Sequence, residues 1–587
     1  MMVGDFSQVW LVEFAYEKDA DGNLRPLSLT AIEVHSKNLL QLSADDMLSL
    51  AHPPYHVDDR CLFVSYLATD AMRCHLVLGW ELPFHVYDPY VEYLQRTNGE
   101  REARARDIFT TLPSLGIDVA AALRKSDIRE TSLDEIRQRD CRDDLAASQN
   151  LRTAMNLYAA ITGMDPTLDI SYAVLRGRFL RVVARMEHRG IPVDKHTISL
   201  LKLNWKGLIE ELVQVIDAAF GFFEGVHFRS SLFAEWLSRE GIVWPRDPMS
   251  GKLKLDDETF KTQSRIHTVL GPIRQLRKTL SQMSELKIEV DANRRSRPFH
   301  YPFGSKTGRN QPSSSKYIFF TPKWTRFLIR ADPGNAVVML DWEQQEFGIA
   351  AAFSGDIGMK EAYISGDPYL AFAQQAGAAP ADATKDSHAE VRAQFKECAL
   401  GVLYGLGADG LATRLGISRS YAKTLLNLHR ETYPGFWTWS DSLVTLAYRD
   451  GFMRTVYDWQ WKVRNAHTEA RTIRNFPMQA NGAEMMRVAA ILMDEAGVHL
   501  CATVHDGFLV EASLAKVDEA TEHARSAMEK ASEIVLAGFK LRAEIRQFLS
   551  PERYECKEGR PIWESLSKSL GKSEHNLQIP GEANLLL

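Results

Sequence analysis

Apolar positions along the chain follow two periods, and each points to a different kind of element. Short runs of β-branched and aliphatic residues read as buried strands: Val9-Trp-Leu-Val12, Val337-Val-Met-Leu340, and the pair Cys501-Ala-Thr-Val504 and Phe508-Leu-Val510. Longer stretches repeat every three to four residues and read as helices: Tyr172 to Gly190, Leu200 to Ile216, Leu270 to Val290, and Arg392 to Gly405. From about 195 to 300 the pattern is helical on both sides of a turn-rich break, Pro245-Arg-Asp-Pro248-Met-Ser-Gly251. The end of the chain, from about Gly571, carries Gly, Asn and Ser and is expected to fray.

Some of these elements carry polar residues that a packed core does not need. Arg392, Lys396, Leu400 and Tyr404 stand at steps of four, so a helix puts them on one face. Two cations one turn apart suit a polyphosphate, and the apolar residue and ring beyond them suit a base. Alone, the same stretch reads as an amphipathic helix with solvated charges. Asp341 ends the Val337–Leu340 run, and His505-Asp506 interrupts a strand pair at an expected hairpin turn, where Gly507 is read as supplying the permissive backbone. Burying such groups is costly unless they have a use or a partner. Two carboxylates can hold two Mg²⁺ ions about 3.5–4 Å apart for phosphoryl transfer. Mg²⁺ takes hard oxygen ligands and shares its shell with substrate phosphates, so few protein ligands suffice.

Asp341-Trp-Glu-Gln-Gln-Glu346, the Arg392…Lys396…Tyr404-Gly405 helix and Val504-His505-Asp506 resemble motifs A, B and C of the family A (DNA polymerase I-like) DNA polymerases. Lys306-Thr-Gly-Arg309 resembles that family's Thr-Gly-Arg element, and Arg471-Thr-Ile-Arg-Asn475-Phe-Pro-Met-Gln479 its Arg…Asn…Pro-Met-Gln element. The five motifs stand in family order across about residues 300–550, and the wider sequence is most similar to compact bacteriophage and prophage members. The resemblance implies roles position by position. Asp341 and Asp506, with the Trp342 carbonyl, are the expected metal ligands for two Mg²⁺ ions, for which Mn²⁺ can substitute. Arg392 and Lys396 hold the triphosphate, and Tyr404 packs at the nascent pair. Glu346 stands at the ribose gate with Gln344 beside it. Arg309, Asn475 and Gln479 touch the minor groove, Arg471 positions template or primer, and His505 meets the primer end. Leu400 replaces the usual aromatic of the sugar-discriminating position, Tyr369 a phosphate-contacting His, and Gly507 the acid that often follows motif C.

The chain has 587 residues and a net charge of −6, so a nucleic-acid surface has to be local. From Ala292 to Ala331 there are nine Lys and Arg and no Asp or Glu, interleaved with Phe299, His300, Tyr301 and Phe303, which suits a backbone groove. Six cysteines without C-x-x-C spacing argue for reduced thiols and against a zinc site. With no secretory signal and no apolar run of about 20 residues, a cytoplasmic protein (host cytoplasm if phage-encoded) without membrane contact is expected.

In the family, the domain before the polymerase region is often an RNase H-like 3′–5′ exonuclease whose metals are held by clustered carboxylates, the first pair written Asp-x-Glu. Here Glu13 replaces the Asp and Ala15 the Glu, Asp70 lies one residue out of register with the second motif, and Asp144 is the best match to the third motif's acid. A fold without effective proofreading is expected.

The sequence therefore implies a multidomain α/β chain. A degenerate exonuclease-like domain (1–165) precedes a right-hand polymerase with a helical linker and thumb (166–300), an antiparallel palm (301–355 and 466–570), helical fingers (356–465) and a flexible tail (571–587). Primer-template DNA and dNTPs are the expected partners of a monomer. Helicase, primase or clamp partners are not identifiable from the sequence. Two rivals are a single-subunit RNA polymerase, opposed by Glu346 and the Thr-Gly-Arg element, and a non-catalytic DNA-binding scaffold, opposed by the intact Asp341, Asp506, Arg392 and Lys396.

Overall fold

The computed structural model describes residues 1–18, 24–100, 108, 111, 145–165, 167–247, 249–282, 288–313, 316–464 and 468–574. The N-terminal part is built on β1 (Gln8–Lys18), β2 (Leu24–Glu33), β3 (Leu39–Ser43), β4 (Cys61–Val64) and β5 (His85–Tyr87), in the order β3-β2-β1-β4-β5. β1, β2 and β3 pair antiparallel, whereas β1, β4 and β5 pair parallel. β1 is central and its residues alternate between two buried faces. Trp10, Val12 and Phe14 share a core with α2 (Ala68–Val77), while Val9 and Leu11 share one with α4 (Leu145–Thr162). Among the described residues this domain also contains two shorter helices, α1 (Ala44–Ser49) and α3 (Pro89–Thr97). Its mixed sheet is covered by helices on both faces. Asp140, Cys141 and Asp144 lie outside the described residues.

α5 (Ser171–Arg189) follows and ends at Gly190, as the periodicity predicts. It lies against α2 and β5 on one side and against the C-terminal half on the other, joining the two. Gly177 makes that approach feasible: a Cβ built there would stand 1.9 Å from the Val86 carbonyl oxygen.

The expected thumb region contains α6 (Lys195–Asp217), α7 (Ser230–Arg239), α8 (Asp257–Ile266) and α9 (Gly271–Gln282). The predicted helix from Leu270 to Val290 is therefore shorter: Leu270 closes a 3₁₀ turn, and residues 288–290 are not helical. The region is not purely helical either, because Phe223–Glu224 and His227–Phe228 form a small hairpin. That hairpin caps a separate core of Phe222, Phe233, Trp236, Trp244 and Phe260.

β6 (Asn335–Trp342) then leads into seven helices: α10 (Gln345–Ser354), α11 (Ile357–Ile364), α12 (Pro368–Gln375), α13 (Ala389–Leu403), α14 (Ala408–Leu415), α15 (Arg419–Thr432) and α16 (Pro434–Asp450). A hairpin of β7 (Phe452–Arg454) and β8 (Gln460–Lys462) precedes the long α17 (Ala470–Glu495). β9 (His499–Val504), β10 (Gly507–Ser513) and β11 (Ala543–Leu549) join β6 in a four-stranded antiparallel sheet ordered β9-β10-β6-β11. α17 and α18 (Val517–Val535) pack together, and α18 lies along β6, β10 and β11. The expected tail begins too early, since α19 (Arg560–Glu574) runs through residue 571 and packs on α6 and α9, with Ile562, Leu566 and Leu570 buried. Among the described residues no helix is long and apolar enough to cross a membrane.

Replacing Gly177 with Ala forces α5 off the β5 backbone. We expect a loss of about 2 kcal/mol from overpacking, read as a lowered midpoint in thermal or urea unfolding.

Candidate active site

β6 carries Val337, Val338 and Leu340, all fully buried, and presents Asp341 as its next-to-last residue. β10 runs alongside, with Gly507 directly opposite Asp341. The Trp342 N–H donates to the Asp506 carbonyl at 3.3 Å, so the backbones carrying the two acids are in contact. The turn between β9 and β10 differs from the sequence expectation. His505, at φ +55, takes the left-handed conformation, whereas Gly507 is not left-handed. Gly507 is there for closeness instead, because a Cβ would lie 2.2 Å from the Leu340 carbonyl oxygen. Gln344, at φ +46, is a second left-handed non-glycine residue, three positions after Asp341. Such backbone strain on both sides of a site persists only where the surroundings over-determine it.

Burial raises Asp341 well above the usual carboxylate range, and the neighbouring Asp506 charge adds to the rise. Burial also raises Asp506, opposed by Arg309 and His505. Asp341 Oδ1 is buried and has no hydrogen-bond partner. Two half-buried, mutually repelling carboxylates, one with a buried orphaned oxygen, have the donor chemistry that a divalent cation satisfies. Sequence reading missed two residues here. Glu544 on β11 stands opposite Asp341 in register and raises its proton affinity, while Arg546 lowers it. The alternation in Ala543-Glu-Ile-Arg-Gln-Phe-Leu549 is the signal that could have marked this strand.

α13 places the other expected residues. Arg392 is ion-paired to Asp367, the N-cap of α12, with its guanidinium 5.8 Å from the Tyr369 ring centroid. Lys396 Nζ stands 5.6 Å from the same ring, and among the described residues it has no carboxylate partner. Leu400 is half-buried on the next turn, and Tyr404 caps the helix, largely exposed. The Tyr404 hydroxyl donates to Glu346 Oε1 at 2.8 Å, and the Gln479 amide from α17 donates to the same oxygen. Burial raises Glu346, and Arg309 and Asp506 both act on its charge. Gln344 Oε1 is buried without a partner. Trp342 packs on Phe508 at 6.1 Å, and His505, lowered by burial, lies 6.4 Å from the Phe320 ring.

The structure thus brings Asp341, Asp506, His505, Arg309, Glu346, Tyr404 and Gln479 together, with Arg392, Lys396 and Tyr369 along α13. Asn475 touches the end of α13 through the Leu403 carbonyl at 3.4 Å. Arg471, at the start of α17, is paired with Glu469 and packs against Gly405 beside Tyr404, where a Cβ on the glycine would lie 2.5 Å from the Arg471 Cβ.

Residues 319–547 match the family model described as DNA polymerase family A. Over this segment the chain is similar to DNA polymerase family A. Similar proteins include the DNA polymerase I of Aquifex aeolicus, 26% identical over 381 residues (62% of this chain, 64% of that protein). The DNA polymerase I of Chloroflexus aurantiacus is 27% identical over 403 residues, covering 62% of this chain and 41% of that protein. The chain spans less than two thirds of the length of these relatives. Among solved structures, the POL domain of Pol1 from M. smegmatis, in complex with DNA primer-template and dNTP, superposes with a TM-score of 0.65. It is 19% identical and covers 95% of this chain and 96% of that one. The fold is accordingly that of a right-hand polymerase. Family A DNA polymerases use divalent metal ions, in keeping with the donor chemistry of Asp341 and Asp506.

The N-terminal acids are differently placed. Glu13 Oε1 accepts from Tyr66 N at 2.7 Å and from Ser65 Oγ at 3.4 Å, and burial pushes its carboxyl up to about 8. Asp70 accepts from Tyr16 Oη at 2.6 Å and is ion-paired to Arg73. Ala15 offers no side-chain oxygen. Asp88, missed from sequence, caps α3 and accepts from the N–H groups of Leu67, Ala68 and Tyr90 at 3.3, 2.9 and 2.9 Å, with burial pushing it up to about 7. Among the described residues, no three His, Cys, Asp or Glu are grouped to hold a metal.

A Glu13 carboxyl raised from about 4.5 to about 8 favours the folded state fully below about 4.5 and loses that contribution as pH climbs to about 8. The thermal midpoint of the N-terminal domain is expected to fall across this window, and Glu13→Gln to flatten the fall. Intrinsic fluorescence melts at a series of pH values check both.

Proposed function

We propose that this chain is a template-directed DNA polymerase that adds deoxynucleotides to a primer 3′-hydroxyl, with weak or absent 3′–5′ proofreading. The observation that carries the reading is the juxtaposition of Asp341 and Asp506 at the end of the sheet, with one buried carboxylate oxygen of Asp341 left unpartnered. Asp341, Asp506 and the Trp342 carbonyl would hold two Mg²⁺ ions, replaceable by Mn²⁺, which would supply activation of the attacking oxygen and neutralisation of the leaving pyrophosphate.

The residues themselves bind and orient. Lys396 serves the triphosphate as a point charge and Arg392 as a fork, its direction set by Asp367. Tyr369 lies against both cations, where its ring guides the phosphate chain. Tyr404 and Leu400 face base and sugar, and Glu346, fixed by Tyr404 and Gln479, crowds a 2′-hydroxyl, with Gln344 beside it. Arg309, Asn475 and Gln479 read the minor groove, whose acceptors report pair shape more than sequence. His505 meets the primer end, and Arg471 steadies template or primer. Positioning and electrostatics suffice, because the transfer asks little covalent chemistry of the protein. The domain boundaries proposed are those expected from sequence, except that α19 joins the thumb helices α6 and α9.

Poor proofreading is supported by what the N-terminal acids already do. Glu13 and Asp88 spend their oxygens on backbone N–H groups, Asp70 on Tyr16 and Arg73, and Ala15 removes one ligand. The comparisons support neither the RNA polymerase nor the scaffold reading.

Primer extension on a labelled primer-template with Mg²⁺ and dNTPs tests the reading. Wild type extends, and Asp341→Ala and Asp506→Ala do not. Arg392→Ala raises KM for dNTP by about tenfold, as expected on losing a charged hydrogen bond, and Glu346→Ala admits ribonucleotides. A dNTP-free lane shows little shortening of a mispaired primer. Wild type that fails to extend across metal and salt conditions overturns the reading.

A further inference from the structure

One partnership of the N-terminal acids reaches out of that domain. Arg73 on α2 is ion-paired to Asp70 and also places Nε and Nη2 on the Glu187 carboxylate of α5, at 2.5 and 2.8 Å. Glu187 Oε1 accepts the backbone N–H of His300 as well, at 2.6 Å. His300 is buried, and burial pushes its imidazole down to about 3, so the ring is neutral and Nδ1 is free to accept. Asn310 Nδ2 donates to it at 2.8 Å and lies 3.3 Å from Thr503 Oγ1 on β9. Thr503 stands three residues before Asp506, and Asn310 directly follows Arg309.

The carboxyl partners in this chain of contacts are sheltered, with the Arg73, Asp70 and Glu187 side chains 13, 21 and 8% exposed. Charges at such sites persist only when paired, and a guanidinium fork fixes the angle between two carboxylates as well as their distance. A second contact grips the other end of the same loop. Asn98, at the end of α3, donates to the carbonyls of Lys306 and Gln460 at 2.7 and 2.8 Å. Trp459 Nε1 backs the Lys306 carbonyl from the β7–β8 hairpin at 3.1 Å. The Lys306–Asn310 loop, which carries Arg309, is thus held at both ends by groups belonging to, or braced by, the N-terminal domain.

We infer that the N-terminal domain is a positioning element for the polymerase site: Arg73, with Asp70 and Glu187, sets His300 and Asn310, while Asn98 sets Lys306, so that Arg309 is fixed for primer-template binding. The inference rests on the polymerase reading. It gives Asp70, the acid nearest the second nuclease motif, a use other than metal binding, and it makes Arg73, Glu187 and Asn98 positioning residues with no contact to substrate. Displacing a positioned group by about 1 Å can cost on the order of 10²-fold, so a partly relaxed loop is expected to show a smaller but measurable loss.

The test uses the full chain and equilibrium binding of a fluorescent primer-template without nucleotide, at a temperature well below each variant's unfolding midpoint. Arg73→Ala and Asn98→Ala are each expected to raise Kd for DNA by about tenfold, with kcat and KM for dNTP at saturating DNA within about twofold of wild type. Arg73→Lys keeps the charge without the fork and is expected to recover part of the loss. DNA affinity unchanged in folded Arg73→Ala and Asn98→Ala overturns the inference, even where their unfolding midpoints fall. If Arg73→Ala does not fold, the half-buried Asn98→Ala decides alone. A wild type that binds DNA without extending it defeats the polymerase reading, while the binding comparison still tests the loop.

Discussion

Two carboxylates sit side by side at the end of an apolar sheet, and the arrangement of the polymerase half answers to their repulsion. Asp341 and Asp506 are both raised by burial, and each resists ionising beside the other. Nothing local favours that juxtaposition. It is imposed by β6 and β10, whose side chains are buried along most of their length, and by a glycine that lets the strands close without a Cβ between them. Strained backbone at Gln344 and His505 marks where the sheet's register overrides local preference.

Around this pair, cations and hydrogen-bond donors arrive from separate elements. α13 brings Arg392 and Lys396 past Tyr369 and ends in Tyr404, which meets Glu346 from α10 and Gln479 from α17. Three helices therefore converge on one carboxylate oxygen of Glu346. A movement of α13 has to break or carry that junction, which couples the ends of the helix to each other.

The N-terminal domain rests on its sheet more than on the acids that line it. β1 keeps both faces buried, so the fold retains its hydrophobic stabilisation irrespective of which acids line it. Its carboxylates have found backbone N–H groups, a tyrosine and an arginine. Through Arg73 and Glu187 one of them is built into the contact with the polymerase half.

Local pattern determined much of this protein. The apolar runs ending in Asp341 and Asp506 and the face shared by Arg392, Lys396, Leu400 and Tyr404 are short-range features, readable because strand and helix periods are short. Only the tertiary structure decided what crosses between strands and helices far apart in the chain. Register put Glu544 opposite Asp341, close approach rather than left-handed backbone explained Gly507, and long-range packing assigned Asp367 to Arg392 and Asp88 to the backbone of Leu67 and Ala68. The packing of α19 on α6 and α9 likewise depended on contacts that no local period encodes. Periodicity says which way a side chain points along its own element, whereas the partner it meets is set by how distant elements share one buried core.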